Sequence, residues 1–244
     1  MDLSLVIPVR NEAENIAPLI AEIRAALDGR REYEVIYVDD GSSDATAQRL
    51  DSARRDFARL RVLHHRSACG QSTALLTGVR AARSAWIATL DGDGQNDPAD
   101  IHTLLAARDA AGCDPLLLLT GHRRRRQDSV LKRLCSCVAN SVRARLLRDH
   151  TPDTGCGLKV FARATFLALP HFDHMHRFLP ALVLRAGGRV QSVDVTHRPR
   201  LRGRSNYGVH DRLWVGIVDL FGVLWLRRRQ RLPVVVEDEA EPRP

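Results

Sequence analysis

Unbroken apolar, β-branched runs alternate with polar, helix-periodic stretches along the first half of the chain. The run LSLVIPV at 3–9 and those at 33–38, 60–63, 85–90 and 116–119 read as strands buried on both faces. Between the first two, Ile16, Leu19, Ile20, Ile23 and Leu27 keep helical spacing, and 73–82 and 100–111 have helical composition. Strand and helix in alternation predict an α/β fold, a Rossmann-like, mostly parallel sheet flanked by helices. Ligands of such sheets gather beyond the carboxyl ends of the strands. The residues that follow each run are therefore the functional candidates: Arg10-Asn11-Glu12, Asp39-Asp40-Gly41-Ser42, Arg66, Asp91-Gly92-Asp93-Gly94-Gln95 and Gly121-His122-Arg123.

Two of those ends carry paired carboxylates, one as Asp-x-Asp. So much negative charge at one edge is costly without a cation. Asp91 and Asp93 offer hard oxygen ligands of the kind that suit Mg²⁺ or Mn²⁺, which complete their shell with water and substrate phosphates. An EF-hand is excluded, because its sixth loop position would be Asn96 in place of glycine and its twelfth His102 in place of glutamate. A nicotinamide enzyme is excluded as well, since the turn after the first strand reads PVRNEAEN with no GxGxxG.

The chain has 244 residues and a formal charge of +8. That charge is concentrated in two basic stretches, 121–148 and 198–231, and the remainder is net acidic. Such stretches call for anionic partners, whether phosphates, lipid headgroups or nucleic acid. Nucleic acid is disfavoured, because aromatic residues make up only 5% and no recognition motif is present. The five cysteines form no CxxC, which fits free thiols in a reducing compartment. His171, His174 and His176 lack zinc-site spacing and are read as structural. Met1 leads straight into the first strand without a signal sequence, which predicts a cytoplasmic protein. The acidic end EDEAEPRP has the composition of a disordered tail.

Six strings, VIPVRNEAENI (6–16), VDDGSSDAT (38–46), CGQSTALLTGVRAA (69–82), TLDGDGQNDP (89–98), DTGCGLKVF (153–161) and RLRGRSNY (200–207), occur in order. On these the chain resembles family 2 glycosyltransferases, within them the dolichol-phosphate mannose synthase and undecaprenyl-phosphate sugar transferase group. The resemblance implies a GT-A fold, a divalent metal and an inverting hexosyl transfer from a GDP- or UDP-linked sugar to a polyprenyl phosphate. It places Pro8, Glu12, Asp39 and Asp40 around the nucleotide, and Asp91, Asp93 and Gln95 at the metal and donor diphosphate. Asp153 corresponds to an acidic residue near the acceptor phosphate, a candidate base beside Asp93. Arg123, Arg200, Arg202 and Ser205 correspond to groups that gather phosphates, for which a planar guanidinium is suited. Asn206 stands where the group usually has lysine. Two alternatives stay open: an ordinary strand-end turn at Asp39-Asp40, with Asp44 capping the next helix, and a solvated surface run at 123–126.

Beyond this lies LWVGIVDLFGVLWL at 213–226, flanked by arginines and carrying Asp219. As a helix its fourteen residues reach about 21 Å, short of about 30 Å of hydrocarbon. Terminal tryptophans and basic flanks fit a helix lying in the membrane interface; a helix packed on the sheet or in a dimer seam is the competing reading. The expected organisation is a catalytic domain at 1–208, an amphipathic appendage at 209–231 and a tail at 232–244. It predicts an enzyme peripheral on the cytoplasmic face of a membrane, with homo-oligomerisation left open. Rival functions are a family 2 transferase with a soluble or saccharide acceptor, and a basic nucleic-acid-binding protein.

Overall fold

A computed structural model describes residues 1–123, 143, 145–149, 151–200 and 209–229, of which 209–214 are described by backbone alone. Seven strands form one sheet: β1 (Leu3–Val9), β2 (Tyr33–Asp39), β3 (Leu60–His64), β4 (Trp86–Thr89), β5 (Leu117–Arg123), β6 (Lys159–Ala162) and β7 (Arg189–Val195). Their order is β3-β2-β1-β4-β6-β5-β7. Every pairing is parallel except those of β6, which runs antiparallel between β4 and β5. The sheet is thus mostly parallel, as the apolar runs predict.

Leu3, Leu5, Ile7 and Val9 of β1 face one apolar layer, with Ile16, Leu19 and Ile23 of α1 (Ala13–Leu27), Leu50 of α2 (Thr46–Asp56) and Leu104 of α4 (Ile101–Ala110). Val6, Ile36 and Val38 face the other, with Ala74, Leu75 and Val79 of α3 (Gln71–Ala81), Phe166 of α5 (Arg163–Ala168) and Leu182 of α6 (Leu179–Arg185). Alternate residues of a strand point to opposite faces, so helices on both sides bury the whole of β1. The carboxyl end of α3 is held by Arg163, which donates to the carbonyls of Val79 (2.9 Å) and Arg80 (2.8 Å). That fixes the opposite end of α3 at the carboxyl edge of the sheet.

Two expectations need correction. Residues 121–123 are not a turn after the fifth strand: β7 pairs with β5 through Gly121↔Val193, His122↔Asp194 and Arg123↔Val195 and keeps them extended. Strands β6 and β7 have no counterpart in the apolar pattern, because β6 opens on a lysine and β7, RVQSVDV, is an edge strand with mostly exposed polar residues.

The C-terminal helix α7 runs over Val209–Arg228. Val223 is fully buried, Leu220, Leu224 and Leu226 pack beside it, and Arg185 donates to the Leu226 carbonyl at 3.0 Å. Asp219, the acid inside the apolar run, pairs with His174 Nδ1 at 3.2 Å. Val218, Phe221 and Trp225 on the other side are 66%, 67% and 60% exposed. The helix is therefore packed along one face, as the competing reading of 213–226 expects, and apolar on its open face. Among the described residues no helix is long and apolar enough to cross a membrane. Residues 124–126 and 232–244 lie outside the described residues.

Candidate active site

The loops after β1, β2 and β4 meet at the carboxyl edge. Asn11 and the 41–43 turn stitch the first two together: Asn11 N–H donates to Ser42 Oγ (2.9 Å) and Asn11 Oδ1 accepts from Ser43 N–H (2.8 Å). Thr46 Oγ1 accepts from Glu12 N–H at 2.9 Å, and Asp44 caps this turn by accepting from Thr46 N–H at 2.9 Å. Gly41 is required here. Its φ is +65°, and a Cβ would sit 2.6 Å from Ala68 N. Pro8 is buried in β1, which pairs with β2 as far as Val9 but with β4 only as far as Val6. Having no N–H, Pro8 lies where the β4 ladder has already ended, and the sheet opens there for the 91–95 turn.

Asp39 and Asp40, both buried, are spent differently. Asp39 accepts from Ser42 N–H (3.0 Å) and meets His64 Nδ1 at 3.1 Å, near the edge. Asp40 accepts from Cys69 N–H and Gly70 N–H, both at 2.8 Å, and binds His65 Nδ1 at 2.7 Å. Its carboxylate buckles the 66–70 loop and the start of α3 onto the sheet, the placement a helix N-terminus favours. Asp40 thus holds this loop through two backbone amides and the His65 ring. Asp40, His65 and Cys69 offer ligand atoms within 4.8 Å of one another. Both His65 nitrogens are already engaged, Nε2 with Thr77 Oγ1 at 2.9 Å, so the trio is a hydrogen-bond network.

Asp91 accepts from the Gln71 side chain at 3.0 Å, and a Cβ on Gly157 would overlap its carboxylate. It retains some solvent contact. Even so, desolvation first and the Asp93 charge second push its carboxyl up to about 6, against Lys159 and Arg123. Asp93 accepts from Gln95 N–H at 3.1 Å and meets Arg200 at 3.3 Å. The same Arg200 nitrogen donates to Glu12 Oε1 at 2.7 Å. Burial raises the Glu12 carboxyl, opposed by hydrogen bonding from Asn15 and the Arg200 charge. Gln95 holds the 196–200 segment rather than pointing free: its side chain donates to the Arg198 carbonyl at 3.4 Å and its own carbonyl accepts from Arg198 N–H at 3.0 Å.

Asp153 and Arg123 are locked together, Nε to Oδ2 at 2.7 Å and Nη2 to Oδ1 at 2.9 Å, with side chains 6% and 10% exposed. Burial works against the guanidinium's charge, and Asp153 more than offsets it, so its pKa is raised. Asp153 is therefore no free base, and Arg123 is its largely buried ion-pair partner, not a member of a solvated run. Arg202 and Ser205 lie outside the described residues.

The sequence alone assigns no role to Gln71, Gly157 or Lys159, although all three stand inside the quoted strings. Lys159 is buried, donates to the carbonyls of Thr154 (3.4 Å) and Cys156, and has its pKa lowered by desolvation. His176 Nδ1 bonds Ser72 Oγ at 2.8 Å, tying α3 to the 175–177 turn. Burial, then the Arg177 charge, holds this ring well below its ordinary pKa. The unfolded chain binds a proton there below about pH 6.5 and the folded chain does not. Stability from the neutral ring is thus present above that pH and falls as pH drops, by up to about 1.4 kcal/mol per unit. His176→Gln is expected to remove this share of acid sensitivity. Its melting-temperature difference from wild type should change between pH 7.5 and 5.5, and a constant offset would refute the assignment.

The chain matches the model of Glycosyl transferase family 2 over residues 4–166. It belongs to that family. The transferase is 35% identical to the dodecaprenyl-phosphate galacturonate synthase of Rhizobium johnstonii, over 96% of this chain and 69% of the relative. It is 32% identical to the undecaprenyl-phosphate 4-deoxy-4-formamido-L-arabinose transferase of Edwardsiella ictaluri, over 85% of this chain and 63% of the relative. The chain thus spans roughly two thirds of these relatives. Glucosyl-3-phosphoglycerate synthase from Mycobacterium tuberculosis, solved with Mn²⁺, UDP and glucosyl-3-phosphoglycerate, superposes with a TM-score of 0.67 at 20% identity, covering 93% of this chain and 79% of that one. This likeness establishes a GT-A-like fold, and the family establishes a glycosyltransferase.

Proposed function

We propose that the transferase moves a sugar from a nucleotide-sugar donor to a polyprenyl phosphate at a membrane surface, with Mg²⁺ or Mn²⁺ held by Asp91 and Asp93. The observation that carries this is the surplus of negative charge at the carboxyl edge, where two hard-oxygen donors crowd each other beside Glu12. The donor set fits a hard divalent ion: the Oδ1 atoms are occupied by Gln71 and the Gln95 amide, and each carboxylate has a second oxygen, that of Asp93 shared with Arg200 at 3.3 Å. When bound, such an ion neutralises charge on the diphosphate leaving group. The polyprenyl acceptor follows from the names of the relatives, and a phosphate oxygen is already an anionic nucleophile, consistent with a site whose Asp153 is engaged. Asp39 on the β2 edge suits base or ribose donors. In this reading 1–208 is the catalytic domain and 209–231 the appendage.

The test is transfer of radiolabelled sugar from UDP- and GDP-linked donors, with Mn²⁺, to a short polyprenyl phosphate, set against soluble saccharides and phosphoglycerate. Product on the lipid phosphate alone supports the proposal, and product on a soluble acceptor alone defeats it.

The open face of α7 supports the membrane part. Replacing Val218, Phe221 and Trp225 together by serine is expected to release the protein from anionic vesicles while leaving its melting temperature within a few degrees, because these side chains are largely exposed. Val223→Ser should do the reverse and destabilise the fold, since that side chain is fully buried. Unchanged flotation of the triple variant with a collapsed melting temperature would show a packing role only.

A further inference from the structure

We propose that Arg200 is the built-in counter-cation of the Asp91–Asp93 site, competing with the divalent ion for Asp93 and moving to the donor diphosphate when ion and nucleotide arrive together. The inference rests on the metal reading above. One Arg200 nitrogen sits 2.7 Å from Glu12 Oε1 and 3.3 Å from Asp93 Oδ2, so a single guanidinium offsets two acids that otherwise repel each other. Its Nε is buried and has no hydrogen-bond partner among the described residues, a donor that a phosphate oxygen could satisfy.

The placement is anchored by backbone. Residues 196–198 are fastened to the Asp-x-Asp turn and its neighbours by Asn96↔His197 pairing, by Gln95 on both sides of Arg198, by Thr196 N–H on Asp100 (2.7 Å), and by Arg198 on Glu22 and Asp97. Two residues further on, Arg200 is delivered to Asp93. A cation arriving at that carboxylate meets a resident positive charge a few ångströms away, which weakens its binding. With diphosphate present the guanidinium gains an anionic partner of better geometry, and the penalty becomes an attraction. Metal alone then binds weakly and metal with nucleotide tightly, a coupling between two ligands set by one side chain.

The test measures Mn²⁺ binding by electron paramagnetic resonance, first without nucleotide and then with UDP or GDP. Because Arg200 is only partly buried, screening limits the effect. Arg200→Gln and Arg200→Ala are expected to tighten binding of Mn²⁺ alone by roughly three- to tenfold and to weaken the enhancement by nucleotide. Arg200→Lys, which keeps the charge, should stay near wild type. A residue that only contacts phosphate would leave Mn²⁺-alone affinity unchanged, and one that only supports the fold would lower it; either result in both neutral variants overturns the proposal. Asp93→Asn serves as the separate control. If it binds Mn²⁺ as well as wild type, the metal reading itself fails, whatever Arg200 does.

Discussion

Asp93→Asn is expected to reduce sugar transfer by roughly a hundred- to a thousandfold, corresponding to about 3–4 kcal/mol of lost charge stabilisation. The substitution keeps the shape of the side chain and removes the charge. The Asp93 Oδ1 bond to the Gln95 amide can be kept by the asparagine oxygen. What disappears is one of the two acids paired with Arg200 and one of the two ligands proposed for the ion. Asp91→Asn should be similarly severe, because it removes the charge of the other proposed ligand while its oxygen can still accept from Gln71. The measurement is kcat/KM over a series of Mn²⁺ concentrations, with circular dichroism to confirm folding. Wild-type rates from either folded variant would remove the metal site from this edge.

Arg123→Met is expected to destabilise the transferase by about 3–5 kcal/mol, as is usual when one member of a buried ion pair is left without its partner. Asp153 would then keep its charge at 6% exposure without the two guanidinium bonds. The sequence alone suggests the opposite outcome, a surface arginine whose loss touches activity but not stability. Pairing the substitution with Asp153→Leu should restore most of the lost stability, because neither charge is then stranded. Chemical denaturation of the two single variants and the double variant gives the coupling directly. If Arg123→Met alone melts like wild type, the pair is a surface contact of little consequence. Recovery of activity in the double variant would further show that neither charge takes part in the chemistry.

The difference between these two predictions marks what could be read from the chain. Runs of apolar residues located β1 to β4 and the start of β5, since strands buried on both faces are built from such runs. The Asp-x-Asp turn was legible for the same reason, being the polar break after such a run. Partnerships across long separations were not. Asp40 meets the backbone of residues about thirty positions on, Arg123 meets Asp153 thirty positions away, and Arg200 reaches Glu12 across 188. Nothing in local spacing records which carboxylate is consumed by the fold and which is left for a ligand. The C-terminal helix shows the limit differently. Its apolar residues serve two purposes on two faces, with Val223 in the core and Trp225 outside, and composition sums them.

The reversed direction of β6 has a consequence of its own. Because β5 is parallel to β7 and antiparallel to β6, the chain leaves β5 at Arg123 and re-enters the sheet at Lys159 on the same edge, the one that carries the site. The Arg123–Asp153 pair joins the two feet of this excursion. A stretch that starts and finishes side by side can lengthen, shorten or be replaced without altering the register of any strand. The topology thus brings both ends of the β5–β6 connection to the edge that carries the site, where one ion pair closes it.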